Sequence, residues 1–206
     1  MILYGRYLSP FVRRVGASLT VLGMAFEHKP LSVVDHAAQI REINPLVRVP
    51  ALEFDDGTRL IESWAILDAI DELAGPDKAL VPAMGPARRE VLQLVSYAVG
   101  ACEKTVSAYY ERIRRPQEFC YAAWAEQCEA QVRGAFHLLN DRAEGRTFLA
   151  GDRLTQADIS AVCAFDFAAQ VLPEQLAPAA TWPALAALSE RLNAIEAIGS
   201  THPARQ

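Results

Sequence analysis

Hydrophobic positions recur at two different spacings along this chain, and the change from one to the other divides it. Met1–Tyr4 is a short apolar start, followed by a turn-like Gly5–Ser9. From Pro10 to Gly23, Phe11, Val15, Leu19 and Leu22 recur at helical spacing, and Gly23 stands where a helix C-terminal glycine belongs. Phe26–Val34 reads as a second strand, assigned to a sheet edge because Pro30 has no amide hydrogen for a neighbour. Asp35–Asn44 allows a short helix that must end before Pro45. Ala51–Phe54 alternates, Asp55-Asp56-Gly57 turns and Thr58–Ile61 returns, which is a hairpin signature. Ser63 then caps a helix running to Leu73, buried through Ile66, Leu67 and Ile70 and closed by Gly75-Pro76. The predicted order is β-α-β-α-β-β-α, a small α/β layer domain over residues 1–75.

Residues 76–86, with Pro76, Pro82, Gly85 and Pro86, read as a linker. No strand signal follows it. Ala87–Arg114 is helical through Val91, Leu94, Val95, Ala98 and Cys102, and Pro116 interrupts it. Glu118–Ala143 is helical again, with Trp124, Cys128, Val132, Ala135 and Leu139 in register. Thr155 opens a third helix and Trp182–Ile198 forms a fourth, so residues 87–206 are predicted to be all-helical. Thr155-Gln156-Ala157-Asp158 has the form of a capping box, and Leu154 and Ile159 take the positions of a hydrophobic staple. Asp158 is therefore read as structural rather than catalytic.

Composition narrows the function. Of 206 residues, 51% are hydrophobic and 22% charged, a globular mixture. A formal net charge of −5 argues against nucleic acid as a partner. No apolar run approaches the roughly 18 residues that span a bilayer. Met1–Gly5 lacks the features of a secretory signal, so the expected location is cytoplasmic. Cys102, Cys120, Cys128 and Cys163 form no CxxC pair and are expected to be buried, inert thiols. His28, His36, His137 and His202 are scattered, so no metal is expected.

Three segments at strand–helix junctions or strand entrances carry the candidate chemistry: Leu8–Arg14, Asn44–Leu52 and Ile61–Ile66. In an open α/β domain, ligands gather at such ends. Ser9-Pro10 has the form of a helix start, with Ser9 as N-cap and Pro10 at the first helical position. The same geometry stabilises an anion, including a thiolate, and a hydroxyl aimed at the sulfur hydrogen-bonds only the charged form. Pro50 is either an ordinary loop proline or a cis-proline that turns the Val49 backbone towards an extended ligand. Glu62-Ser63 is either a helix cap or a zwitterion site. In the second reading Ser63 and helix amides hold a carboxylate while Glu62 holds an ammonium.

Together and in this order, these segments resemble those of the cytosolic glutathione transferases, over nearly the whole chain. The Ser-Pro-Phe-Val stretch is similar to the serine-type branch, as in the tau and theta classes and bacterial members, and the Thr155–Asp158 capping box is shared with the family's helical domain. The resemblance implies a thioredoxin-like N-terminal domain followed by an all-helical C-terminal domain. It implies that reduced glutathione is the co-substrate, its thiolate stabilised by Ser9 and added to a small hydrophobic electrophile. By the same resemblance Phe11 lines the thiol-facing wall and Val49 pairs by backbone with the cysteinyl unit beside a cis Pro50. Glu62 and Ser63 hold the γ-glutamyl head, and Arg48 stands near the glycine carboxylate. A homodimer is also implied.

The departures shape the reading. No cysteine lies near Ser9, against the thiol-transferase branches that place Cys there, and the Ser-rich stretch of maleylacetoacetate isomerases is absent. Tyr4 and Tyr7 are alternative sulfur ligands, but Tyr4 falls in the first strand. His36 and Gln39 are candidates for the glycine end. The electrophile is expected between the domains, where Tyr97, Ala101, Thr105 and Tyr109 share a helical face. Arg112–Arg115 reads as a solvated face. The alternatives are a binding or regulatory protein without turnover, and a glutathione-dependent isomerase, dehalogenase or ether-cleaving enzyme.

Overall fold

The structure, a computed structural model, describes residues 1–176 and 178–205. Strands β1 (Ile2–Tyr4), β2 (Glu27–Lys29), β3 (Ala51–Glu53) and β4 (Arg59–Ile61) form a four-stranded sheet in the order β2-β1-β3-β4. β1 runs parallel to β2 and antiparallel to β3, which runs antiparallel to β4. The strand bearing Glu27–Lys29 lies at an edge, as its neighbouring proline predicted, and it stops just before Pro30.

Helices α1 (Pro10–Val21), α2 (Ala37–Ile43) and α3 (Ser63–Ala74) complete this region. Leu3 and Leu52 from the sheet, Val12, Val15 and Leu19 from α1, and Ile66 and Ile70 from α3 share one core and are fully buried. The spacing that predicted α1 and α3 is thus the spacing of one buried stripe on each. α1 ends where Gly23 takes a φ of +69°.

The remaining helices are α4 (Gly85–Tyr109), α5 (Ala122–Ala143), α6 (Gln156–Val171), α7 (Pro173–Leu176), α8 (Pro178–Thr181), α9 (Pro183–Asn193) and α10 (Glu196–Gly199). α4 packs against both α5 and α6. Phe136 and Trp182 meet edge to face at 5.1 Å in this core, and Trp182 is fully buried. The capping box forms: Thr155 and Asp158 satisfy each other's backbone N–H groups at the start of α6. Asp158 also accepts the Leu149 N–H at 2.7 Å, tying the preceding loop to the helix.

The chain forms two compact units, Met1–Ala83 with Asn193–Gln206, and Met84–Leu192. The returning C-terminal segment differs from the predicted division, which left 87–206 together. The predicted Trp182–Ile198 helix is two helices, α9 and α10, and α10 packs on α1. Arg13, buried on α1, donates to Asn193 Oδ1 at 2.7 Å. No helix among the described residues is long and apolar enough to cross a membrane.

Other expectations are corrected. Trp124 is in register but exposed, its ring under the Lys104 ammonium at 5.6 Å. Residues Tyr110–Arg114 form a π-helical turn rather than more α-helix. Arg112 and Arg115 are more than a solvated face, because Arg112 chelates the buried Glu129 carboxylate and Arg115 pairs with the buried Glu111 at 2.9 Å. Cys102, Cys128 and Cys163 are buried, but Cys120 is half-exposed, its S–H donating to the Glu111 carbonyl at 2.8 Å.

Candidate active site

Sheet register brings the three segments together. Tyr4 pairs with Lys29 and Ala51, and Ala51 pairs with Ile61, so four strand ends lie in one row. The residues just beyond that row are Gly5, leading to Ser9, then Pro50, entering β3, and Glu62, leaving β4. One end of the sheet therefore brings the first segment to two others that lie about forty to fifty residues further along the chain.

Gly5 joins two of them. Its φ of +125° is open only to glycine, and a Cβ there would lie 2.5 Å from Val12 Cγ2 and 2.9 Å from Val49 Cβ. The turn after β1 is thereby wedged between α1 and the loop before β3. His28 Nε2 lies 2.7 Å from the Gly5 carbonyl on the other side.

Ser9 is the N-cap residue of α1, with an extended backbone (φ −69°, ψ 119°) and Pro10 behind it. Its carbonyl accepts the Arg13 N–H at 2.9 Å, yet its hydroxyl makes no capping bond. That side chain is half-buried and uncommitted to the helix, contrary to the simple capping reading. Phe11, on the first turn, is also half-buried.

The loop 44–50 is organised by Asn44. Buried Asn44 donates from Nδ2 to the Arg48 carbonyl at 2.9 Å and accepts the Leu46 N–H at 3.0 Å. Val47 takes a positive φ of +52° within this turn, and the Val49–Pro50 bond is cis. Asn44-Pro45 is a turn signal in its own right; what it holds in place was not legible.

Glu62 is the N-cap of α3, at φ +68°, and Ser63 is the first helical residue rather than the cap. A non-glycine residue at such a φ is strained, and here it is gripped between a paired strand and a helix. The Glu62 carboxylate meets the Arg48 guanidinium at 3.1 Å. Arg48, from the loop before β3, is thus tied to the residue that opens α3. Ser63 is buried, and its Oγ accepts from Arg14 Nη1 at 3.3 Å. Arg13 and Arg14 are both charged, yet both are buried.

The tyrosines play other parts. Tyr4 donates to Glu53 at 3.3 Å, beneath Lys29. The Tyr7 ring stacks on His28 with centroids 4.1 Å apart and lies so close to Gly16 that a Cβ there would fall 2.5 Å from Tyr7 Cε1. Burial pushes the Tyr7 phenol up to about 12. His36 Nδ1 accepts the Ser32 N–H at 3.2 Å, while Gln39 is exposed. On α4, Tyr97 and Tyr109 are half-buried and Ala101 and Thr105 fully buried. Among the described residues no three His, Cys, Asp or Glu side chains gather as a metal site.

Comparison with known proteins bears on the family and the fold. The sequence profile of the glutathione S-transferase N-terminal domain matches residues 3–78, and that of the C-terminal domain matches residues 79–196. A probable maleylacetoacetate isomerase 1 of Drosophila melanogaster is 26% identical over 215 residues, covering 100% of this chain and 82% of the relative. The elongation factor 1-gamma of Carassius auratus is 35% identical over 119 residues, 58% of this chain but only 26% of that protein. Two solved structures share the fold over 98% of this chain. One is a glutathione S-transferase of Methylobacterium radiotolerans in complex with glutathione sulfonate, with 27% identity, a TM-score of 0.89 and 94% of its own chain covered. The other is a glutathione transferase family member of Pseudomonas fluorescens Pf-5 with bound glutathione, with 29% identity, a TM-score of 0.86 and 98% covered. With a four-stranded α/β unit, a helical unit and the two domain profiles matched in succession over residues 3–196, the chain belongs to the glutathione S-transferase family.

Proposed function

We propose that this chain is a serine-type glutathione transferase that binds reduced glutathione, lowers its thiol pKa and adds the thiolate to a small hydrophobic electrophile. The observation that carries the reading is the common row of strand ends, from which Ser9, Val49-Pro50 and Glu62-Ser63 all depart. The Ser9 hydroxyl, uncommitted to its helix, donates to the sulfur. It then stabilises the thiolate and not the thiol, and the α1 N-terminus adds to that preference. Val49 offers its backbone to the cysteinyl unit. Glu62 takes the γ-glutamyl ammonium and Ser63, with the first amides of α3, the carboxylate. Phe11 shields the sulfur from water. Arg48, ion-paired to Glu62, orients that carboxylate and carries positive charge towards the peptide's glycine end. Of the α4 face formed by Tyr97, Ala101, Thr105 and Tyr109, the half-buried Tyr97 and Tyr109 are assigned to the electrophile pocket, with the buried Ala101 and Thr105 behind them. Holding the thiolate at the electrophile supplies the rate, with no covalent enzyme intermediate. The reading carries with it a cytoplasmic homodimer.

An ultraviolet pH titration of bound glutathione tests it, comparing the native protein with Ser9→Ala. A thiol pKa below that of free glutathione, restored by the substitution, is the expected result. Binding without any shift would instead identify a non-catalytic binding protein. The maleylacetoacetate isomerase relatives favour a second reading on the same site. There the thiolate adds to a conjugated cis double bond, the new single bond rotates, and elimination returns the trans isomer with glutathione regenerated. Glutathione consumed in proportion to product marks transfer; glutathione acting catalytically marks isomerisation.

A further inference from the structure

Arg14 sits on the second turn of α1 and is only 2% exposed, although a guanidinium stays charged wherever it is placed. It reaches the first residue of α3, where its Nη1 lies 3.3 Å from Ser63 Oγ. A guanidinium has donors and no acceptor, so in this contact the Ser63 oxygen accepts. Ser63 has one proton to give, and Arg14 cannot take it. That proton is directed away from Arg14, and Ser63 is held as a donor towards whatever occupies the start of α3.

We infer that Arg14 is a positioning residue that makes Ser63 a one-way hydrogen-bond donor and so selects ligands bearing a carboxylate at that point. The inference rests on the proposed function, in which Ser63 meets the α-carboxylate of the γ-glutamyl unit, and it names what gives that contact its selectivity. A carboxylate completes the chain from guanidinium N–H to Ser63 oxygen and from Ser63 O–H to carboxylate oxygen. Each bond polarises the next in the same sense. A neutral acceptor in the same place receives a weaker bond than a carboxylate does, and a cationic group meets a proton aimed at it.

The test uses two peptides: glutathione, and γ-aminobutyryl-cysteinyl-glycine, which lacks only the α-carboxylate. Calorimetric binding to the native chain is expected to favour glutathione strongly. Arg14→Met is expected to weaken glutathione about tenfold, the scale of one hydrogen bond to a charged group, and to leave the truncated peptide unchanged. Ser63→Ala is expected to weaken glutathione at least as much, leaving only the preference that the α3 amides supply, and adding Arg14→Met to it is expected to cost nothing more. Arg14→Lys, which keeps a cationic donor, recovers part of the preference. The thiol pKa of bound glutathione, set at Ser9, stays where it was in every Arg14 variant. Equal weakening of both peptides, or no weakening of either, overturns the inference and leaves Arg14 as packing between α1 and α3. If the Arg14 variants do not fold, guanidinium nitrogen NMR of the native chain decides: Arg14 shifts with glutathione and not with the truncated peptide. A response to both, or to neither, overturns it. A native chain that binds both peptides equally also overturns it while leaving the glutathione reading intact. One that binds no glutathione overturns the proposed function itself.

Discussion

Ser9 shows how one side chain can satisfy the sequence rules for a cap without acting as one. A serine before a helix-opening proline normally contributes about 1 kcal/mol by accepting an amide hydrogen of the first turn. Here the carbonyl of Ser9 does the helical work and the hydroxyl does not. Ser9→Ala is therefore expected to lower unfolding stability by well under 1 kcal/mol, as read from urea denaturation, while abolishing the thiolate preference. A loss of about 1 kcal/mol or more would return Ser9 to the ordinary capping role. Glu62 and Ser63 show the complementary case. The sequence placed them together at a helix start, but Ser63 is one residue inside it, and Glu62 occupies the strained cap position.

Elements, rather than residues, fix the distances between the candidate groups. Gly5 is the clearest instance, because three segments close on a space with no room for a methyl group. Gly5→Ala forces a Cβ to 2.5 Å from Val12 and 2.9 Å from Val49 at a backbone angle that side chains disfavour. Overpacking of this kind costs about 1–3 kcal/mol. The loop before β3 is expected to shift from α1, which a joint fall in melting temperature and glutathione affinity would show. Unchanged affinity in a folded variant would mean that the wedge does not hold the site.

The start of α6 is the corresponding point in the helical unit. Asp158→Ala strips an acceptor from the buried Leu149 and Thr155 amides and is expected to cost at least about 2 kcal/mol. Burial raises the Asp158 carboxyl above its ordinary value, against the hydrogen bonds from Leu149 and Thr155 that lower it. A raised folded value means that the fold holds the proton more tightly than the unfolded chain does. Its contribution is fully present below the unfolded value of about 3.9 and declines as pH rises through the folded one. Urea titrations at several pH values should show the deficit of Asp158→Ala narrowing over that rise. A deficit that widens would contradict the assignment.

At the scale of the whole molecule, the chain's last stretch returns to the unit in which it began. Residues 193–205 follow more than a hundred residues of another compact unit, and Asn193 meets Arg13 one helical turn beyond Ser9. Asn193→Ala removes an acceptor from that buried guanidinium and is expected to destabilise the first unit by about 1–3 kcal/mol. Hydrogen exchange can localise the effect to α1 and the sheet rather than to α4–α6. Protection lost first from α4–α6 would show that the tail serves the helical unit instead.

Much of this architecture was legible from local pattern. α1, α3, the β3–β4 hairpin and the long helices have apolar stripes at their own period, and their glycine and proline boundaries lie within a few residues of the ends observed. The capping box was legible because its partners are three residues apart. Ser9, Pro50 and Glu62-Ser63 stood out because each sits where one element gives way to another, while the cis state of the Val49–Pro50 bond came only with the structure. Arg14, Gly5 and Asn44 did not stand out. Their roles depend on groups the chain brings up from elsewhere: Ser63 for Arg14, Val49 for Gly5, and the Arg48 carbonyl for Asn44. The break between α9 and α10 was hidden for the same reason, since the apolar period carries on through Ile198 while the packing partner changes to α1. Sequence by itself determined which segments are helix or strand and which short motifs carry polar chemistry, because those follow from neighbours within a turn or a strand. Only the tertiary structure decided that a buried arginine stands behind Ser63 and that Arg48 faces Glu62. Sheet register and helix packing set which distant side chains meet, and no local period encodes that.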